Sequence, residues 1–137
     1  MLAKTTNPSE KIVLVDDEED VLEFMSYQLK KLNYDVYTLN NGAEALLLIE
    51  EIHPQLIISD MRMPLMNGIE LCKEVKKNED LKHIPFLFLT ADENEYAAML
   101  AHESGADGYL NKTIRPQTLV GEVQRLLASM QQKQLAH

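Results

Sequence analysis

Short apolar runs alternate with longer segments of helical period from one end of the chain to the other. Residues 12–15 form the first run, continuous and β-branched, the pattern of a strand covered on both faces, and it stops at Asp16-Asp17. Val21, Leu22, Met25, Leu29 and Leu32 then recur at helical spacing, with Asn33 placed to stop the helix in a left-handed conformation. Residues 36–39 read as a second strand. Asn41-Gly42-Ala43-Glu44 reads as a capping box that opens a helix through Leu46, Leu47 and Ile49, and Pro54 prevents that helix from running on. The most apolar strand, residues 56–60, is followed by an irregular loop over 61–66 and a helix capped by Asn67 with Glu70 three residues later. A fourth strand spans 86–90, a helix runs from about 93 to 103 and ends at Gly105, and 107–111 form a weaker fifth strand. Pro116 suits the first turn of a last helix, on which Leu119, Val123, Leu126, Leu127 and Met130 keep one face.

Five strands and five helices joined by short connections imply an α/β fold, a mostly parallel sheet with helices on both faces. In such sheets sites form at the carboxyl ends of the strands, near the switch in strand order. The residues at those ends are Asp16-Asp17, Asn40, Asp60, Thr90 and Asn111-Lys112. Three carboxylates, a hydroxyl and an ammonium are thereby directed to one edge.

Length and composition narrow the function. The 137 residues suffice for one domain, assigned to 11–130, with polar flexible segments at 1–10 and 131–137. The one cysteine, Cys72, excludes an internal disulfide and a C-x-x-C site, which suits a reducing compartment. A net charge of -9 repels phosphate backbones, so direct nucleic-acid binding is not expected. No apolar run reaches bilayer length and residues 1–11 lack the apolar core of a signal peptide, so the expectation is a cytoplasmic protein without membrane insertion.

Asp16, Asp17 and Asp60 brought together would repel one another and raise one another's pKa unless they shared a hard divalent cation. Oxygen ligands with room for water suit Mg²⁺. With Mg²⁺ in place, one carboxylate could attack a phosphoryl group while Lys112 and the Thr90 hydroxyl hold its equatorial oxygens, giving an aspartyl phosphate. Neither G-x-x-x-x-G-K-[ST] nor G-x-G-x-x-G occurs, so a nucleotide has no glycine cradle. Cys72 falls mid-helix and His53, His83 and His102 fall at helix ends or loops, which leaves Cys-His or Ser-His-Asp catalysis unsupported.

These residues carry a family resemblance. The acidic pair in Ile-Val-Leu-Val-Asp16-Asp17-Glu, the Asn41-Gly42-Ala-Glu-Ala-Leu turn, Asp60-Met-Arg-Met-Pro64-Leu-Met-Asn-Gly68, Thr90-Ala91 and Gly105-Ala-Asp-Gly-Tyr109-Leu-Asn-Lys112 follow one another in the order and spacing of a response-regulator receiver domain, which the chain resembles from about residue 11 to 130. The resemblance implies a flavodoxin-like, doubly wound sheet of order 2-1-3-4-5, with Asp60 as phospho-acceptor. It implies Mg²⁺ held by Asp17, Asp60 and the backbone carbonyl of Arg62, with Asp16 acting mainly through bound water. Thr90 and Lys112 would contact the phosphoryl oxygens, and Thr90 with Tyr109 would form the switch pair. Arg62 and Asp92, two residues after Asp60 and Thr90, would modulate the lifetime of the phosphate. The donor would be a phosphohistidine on a sensor histidine kinase or a histidine phosphotransfer protein. Output would pass to a downstream protein or effector domain through the Tyr109 face, the chain standing alone or forming part of a larger protein.

One departure stands out. The family usually places proline, on a cis bond, after its lysine, whereas Thr113 follows Lys112. A cis bond without proline costs about 3 to 4 kcal/mol, so a trans peptide and a rearranged loop before Pro116 are expected, and the aim of Lys112 is what this puts at stake.

Taken one at a time, several of these residues have plainer explanations. Asp16 with Glu19, and Thr90 with Glu93, are capping boxes by spacing; the acidic tract is partly a solvated helix face; Met61, Met63 and Met66 are packing residues. Two other functions compete with the phospho-acceptor reading. A degenerate receiver acting as a constitutive protein-binding module is favoured by Thr113 alone. A Mg²⁺-dependent phosphatase with an aspartyl nucleophile needs a second Asp two residues on, where Arg62 follows Asp60 and Glu18 follows Asp16.

Overall fold

The computed structural model describes residues 9–91 and 94–135. Its elements alternate strictly: β1 Lys11–Val15, α1 Glu19–Lys30, β2 Asp35–Leu39, α2 Gly42–Ile52, β3 Leu56–Ser59, α3 Gly68–Lys77, β4 Phe86–Thr90, α4 Glu95–Glu103, β5 Gly108–Asn111 and α5 Pro116–Leu135. The sheet is parallel throughout, in the order β2-β1-β3-β4-β5.

Side chains on a strand alternate between faces, and here both faces are apolar. Val13, Val15, Ile57, Phe86 and Phe88 point to one side and pack with Ala45 and Ile49 of α2, Leu71, Cys72 and Val75 of α3, and Ala97 and Ala101 of α4. Their neighbours Ile12, Leu14, Ile58, Leu87 and Leu89 point to the other side, toward Met25 and Leu29 of α1 and Leu119, Val123, Leu126 and Leu127 of α5. Burial on both faces is why the central strands read as unbroken apolar runs rather than alternating ones. The chain winds from β1 to β2 in one direction and then crosses to β3 on the other side of β1, so the switch in strand order lies between β1 and β3. The crevice at their carboxyl ends is where Asp16, Asp17 and Asp60 stand.

Local signals set most of the boundaries. Asn33 adopts a φ of 69° beyond α1, and Asn67 and Glu70 cap α3 reciprocally, each side chain accepting the other's backbone N–H at 2.9 Å. Asn41 caps α2 by accepting from the Glu44 N–H at 2.9 Å. Elsewhere the plainer capping alternatives for Asp16 and Thr90 are not what the structure contains. Asp16 does not cap α1: the N-cap residue is Glu18, which makes no side-chain capping bond. Thr90 does not cap α4 either, since it completes β4; Asn94 takes that role, accepting from the Ala97 N–H at 2.7 Å, and the helix starts two residues later than its apolar spacing suggested. The last helix continues to Leu135, beyond the Met130 at which its apolar period ends.

The amino-terminal edge of the sheet is pinned by one lysine. Lys76 Nζ donates to the carbonyls of Ile84 at 2.8 Å and Lys82 at 3.2 Å and pairs with Asp107 at 2.9 Å, while the same Asp107 oxygen accepts the Phe86 N–H at 2.8 Å. This ties the end of α3 to the loop before β4 and to the turn before β5. Lys76→Met, which keeps the stem and removes the ammonium, should destabilise the fold by about 1 to 2 kcal/mol, most of it from carbonyls left without their donor rather than from the half-exposed ion pair. Urea unfolding should show a lower midpoint at unchanged slope.

Candidate functional site

The sheet itself aims the acidic groups. The Asp16 N–H donates to the Leu39 carbonyl at 3.1 Å and the Asp60 N–H to the Val15 carbonyl at 2.9 Å, so each aspartate sits one residue past its strand with its backbone still held by the neighbouring strand. The Lys112 N–H likewise donates to the Thr90 carbonyl at 2.9 Å. Carboxylate oxygens of Asp16, Asp17 and Asp60 lie within 4.8 Å of one another; Asp16 and Asp60 are buried and Asp17 is exposed. Each buried carboxylate is oriented by a local N–H. Asp16 Oδ1 accepts from Glu18 N at 2.9 Å and Asp60 Oδ1 from Met61 N at 2.8 Å.

Their remaining oxygens meet an ammonium group. Lys112 Nζ lies 2.8 Å from Asp16 Oδ2, 3.2 Å from Asp60 Oδ2 and 2.7 Å from Glu18 Oε1, so its three protons face three carboxylates. Among the described residues every peptide bond is trans, that between Lys112 and Thr113 included. The trans peptide was expected; a lysine turned aside by it is not what the structure contains, because Lys112 reaches the pocket.

The loop after Asp60 is held just as closely. The Ser59 hydroxyl donates to the Asp60 carbonyl at 2.8 Å, and a Cβ on Gly68 would stand 2.0 Å from that carbonyl oxygen, so only glycine lets α3 begin there. Leu65 and Met66 both occupy the left-handed region, with φ of 50° and 82°, a conformation costing roughly 1 to 2 kcal/mol per residue without glycine. Their carbonyls accept the Ala43 and Gly42 N–H groups of α2 at 2.8 and 3.1 Å, which offsets that strain and serves donors that would otherwise be orphaned at a helix start. Met61 and Met63 are buried in the core beside α2 and α3, as packing residues should be.

Electrostatics follow from three carboxylates around one ammonium. Burial pushes the pKa of Asp16 above the ordinary carboxylate value, against the hydrogen bonds from Lys112 and Glu18 N that pull it down. Burial also raises Asp60, and the neighbouring charge of Asp16 raises it further; together they outweigh Lys112 and the Met61 N–H, which lower it. For Lys112, burial acts to lower the pKa, but hydrogen bonds to Asp16 and Glu18 and the charges of Asp16 and Asp60 outweigh it and leave the ammonium firmly charged. Glu18, exposed at the rim, is drawn below the usual range by its hydrogen bond to Lys112. Among the described residues the pocket therefore gathers more carboxylates than Lys112 alone balances. An all-oxygen donor set of this kind suits a hard divalent cation.

The other candidate residues are placed as follows. Thr90 is buried at the carboxyl end of β4, in register with Asn111. Tyr109 lies on β5 opposite Phe88, half-buried against the core on the α2–α3–α4 side, two residues from the end of the strand, so that it and Thr90 share a face. The Arg62 side chain is exposed in the loop after Asp60. Asp92 lies outside the described residues. His53 closes α2 in a left-handed conformation, His102 sits in the last turn of α4, and neither is at the strand tips. Cys72 is buried in α3, with its thiol pushed up by burial. Sequence reasoning missed Glu18 as a partner of Lys112, although its place in the acidic tract beside Asp16 was the available signal.

The model of the response regulator receiver domain matches residues 12–124. The chain belongs to that family. It is 37% identical over 119 residues to the alkaline phosphatase synthesis transcriptional regulatory protein PhoP of Bacillus subtilis, an alignment covering 87% of this chain and 49% of that protein. The chain thus spans about half the length of that relative. Among solved structures it is similar to the chemotaxis protein CheY4 of Vibrio cholerae, with a TM-score of 0.81 at 33% identity over 86% of this chain and 98% of that one. A response regulator from Chloroflexus aurantiacus gives a TM-score of 0.84 at 35% identity over 88% and 98%. The receiver fold and sheet order implied by the sequence are therefore those of the family, and the chain is a receiver domain of two-component signalling. No helix among the described residues is long and apolar enough to cross a membrane.

The direction of the two aspartate shifts has a measurable consequence. A carboxylate whose folded pKa lies above its unfolded one binds its proton more tightly in the native state, so stability falls as pH rises from the ordinary carboxylate value through the raised one and stays reduced at neutral pH. Asp60→Asn, which cannot ionise, should raise the Tm of the metal-free protein by a few degrees at neutral pH. The gain should shrink as the pH falls below the ordinary carboxylate range. Thermal unfolding in a chelating buffer measures both, and a lower Tm for the variant at neutral pH would mean that Lys112 outweighs burial and the charge of Asp16.

Proposed function

We propose that this receiver domain accepts a phosphoryl group on Asp60 from a phosphohistidine donor, with Mg²⁺ bound at Asp17, Asp60 and the Arg62 backbone carbonyl and with Asp16 acting through water. The observation that carries the reading is the position of Lys112 Nζ, within 3.2 Å of the proposed nucleophile and buried with it. Asp60 Oδ2 would attack phosphorus, the N–P bond would break with its electron pair passing to the imidazole, and the phosphoryl oxygens would be received by Lys112 and the Thr90 hydroxyl. Mg²⁺, when bound, offsets the negative charge that the carboxylates and the incoming phosphoryl group share. The chain on this reading is a switch rather than an enzyme, catalysing only its own modification and its reversal.

The donor would be a sensor histidine kinase or a histidine phosphotransfer protein, as the family implies. Phosphorylation would act through the Thr90 and Tyr109 pair on the surface beside β5, where Tyr96 and Met99 of α4 are already exposed. Arg62 and Asp92 would set the lifetime of the phosphate, as the family implies. The output would go to a downstream protein or effector domain, without direct nucleic-acid contact by this domain, in the cytoplasm. The constitutive binding module rested on Thr113, and the reach of Lys112 into the pocket favours the phospho-acceptor reading over it. A phosphatase is disfavoured because Glu18, at the spacing of a second acid, is engaged by Lys112.

Intact mass after incubation with acetyl phosphate tests the proposal. Wild type should gain one phosphoryl group in the presence of Mg²⁺ and none in a chelator, and Asp60→Asn should gain none in either. Lys112→Ala should still bind Mg²⁺, while phosphorylation slows by at least about tenfold, the effect expected of losing a charged partner of the transferred group. A wild-type protein that stays unmodified although Mg²⁺ binds would turn the assignment to the constitutive binding module.

A further inference from the structure

Lysine is a flexible four-carbon stem ending in a compact charge, so a lysine that must meet a reacting group needs its backbone pointed correctly. Here the backbone around Lys112 is set by its neighbour. Asn111 Oδ1 accepts both the backbone N–H of Thr113 at 2.8 Å and the Thr113 hydroxyl at 2.5 Å, one for each lone pair of the carboxamide oxygen. The Ile114 N–H closes the same turn on the Asn111 carbonyl at 3.3 Å. The Lys112 N–H is meanwhile spent on the Thr90 carbonyl, which holds the start of the turn against β4. Residues on both sides of Lys112 are thus joined over it, and its side chain leaves toward Asp16, Asp60 and Glu18.

We propose that Asn111, through its two bonds to Thr113, is the positioning residue for Lys112. Asparagine and threonine are matched in this role. Asparagine favours turns closed by its own side chain onto the N–H two residues on. Threonine supplies that N–H and a hydroxyl besides; proline at 113 would supply neither. The turn gives a trans peptide a fixed course, so the departure from proline after Lys112 is accompanied by a second device at the preceding position. Among the described residues the Asn111 carboxamide oxygen bonds to Thr113, and the pocket carboxylates bond to Lys112. Asn111 thus acts through Lys112. The inference rests on the phospho-acceptor reading for its effect on rate, but the turn itself can be tested without it.

Three proteins, Asn111→Ala, Asn111→Asp and Asn111→Ala combined with Lys112→Ala, are compared with wild type and with Lys112→Ala. Rates of Asp60 phosphorylation by acetyl phosphate with Mg²⁺ are followed by intact mass. Asn111→Ala should slow phosphorylation about fivefold, the loss of one to two ordinary hydrogen bonds expressed as a rate. Asn111→Asp, which keeps the acceptor, should restore the rate to within about twofold. In the Lys112→Ala background, Asn111→Ala should cost nothing more, because a positioning residue has no effect once the group it positions is gone. An equal loss in both backgrounds, no loss in the first, or no rescue by aspartate would overturn the proposal.

A readout without phosphodonor keeps the two inferences apart. In the NMR spectrum of the metal-free protein, the Lys112 side-chain ammonium should give a protected signal in wild type and Asn111→Asp that Asn111→Ala broadens or loses. If wild type takes no phosphoryl group, the phospho-acceptor reading fails while this signal still decides the role of Asn111. An unchanged ammonium signal in Asn111→Ala would overturn that role whatever the kinetics show.

Discussion

Like charges collected at one edge of a sheet, against a single ammonium group, are the constraint around which this domain is arranged. Asp16 and Asp60 are buried, Asp17 stands beside them, and Lys112 bridges the buried pair at 2.8 and 3.2 Å. Burial pushes both buried carboxylates toward protonation, helped at Asp60 by the charge of Asp16, while Asp16, Glu18 and Asp60 hold Lys112 charged. Such an arrangement persists only because the rest of the fold over-determines it. The two apolar layers, each built from alternate residues of the same strands, fix the sheet, and the sheet fixes the edge.

The site inherits its precision from sheet register rather than from loops. Asp16, Asp60 and Lys112 each stand immediately past a strand, and each has its N–H bonded to a carbonyl of the adjacent strand. A shift of one strand against another would therefore misplace a functional group by the same amount. The loop after Asp60 is built to the same end in a different way. Two residues in left-handed conformation are held by the start of α2, and the Asp60 carbonyl is gripped by the Ser59 hydroxyl under the first turn of α3. Glycines at 42 and 68 are needed because backbone oxygens stand where a Cβ would be. The Asn41-Gly42 and Asn67-Gly68 pairs are thus both caps and points of close approach.

Much of this was legible because hydrophobic period reports burial directly. The doubly covered strands, the helix through Met25 and Leu29, and the stop at Asn33 all follow from which side chains avoid water and which residues tolerate a positive φ. Convergence at one edge was legible as well, since topology alone brings strand ends together. Capping was the plainer alternative at Asp16 and Thr90, and the structure does not use it: spacing records which residues could bond, not which competing bond wins. Asp16 spends one oxygen on the Glu18 N–H and the other on Lys112, and Thr90 remains within β4. Glu18 and Asn111 were harder still, because each acts through the path of a turn, and a turn closed by side chains leaves no periodic trace.

The three acceptors around Lys112 are not equivalent. Asp16 is buried, and its second oxygen is tied to the backbone, so releasing Lys112 would leave a carboxylate uncompensated in a poorly solvated place. Glu18 has a side chain 61% exposed, and water replaces a lost partner there at little cost. Under the proposed reading, a phosphoryl oxygen that claims one proton of Lys112 displaces Glu18 most cheaply, since Asp60 is itself the group being modified and Asp16 is paired with Lys112 while buried. A solvated acid thus completes the coordination of the ammonium while the pocket lacks a phosphoryl group, and can yield its place without disturbing the buried pair. The backbone turn beneath Lys112 need not move during that exchange, which is why its rigidity and the freedom of Glu18 are compatible features of one site.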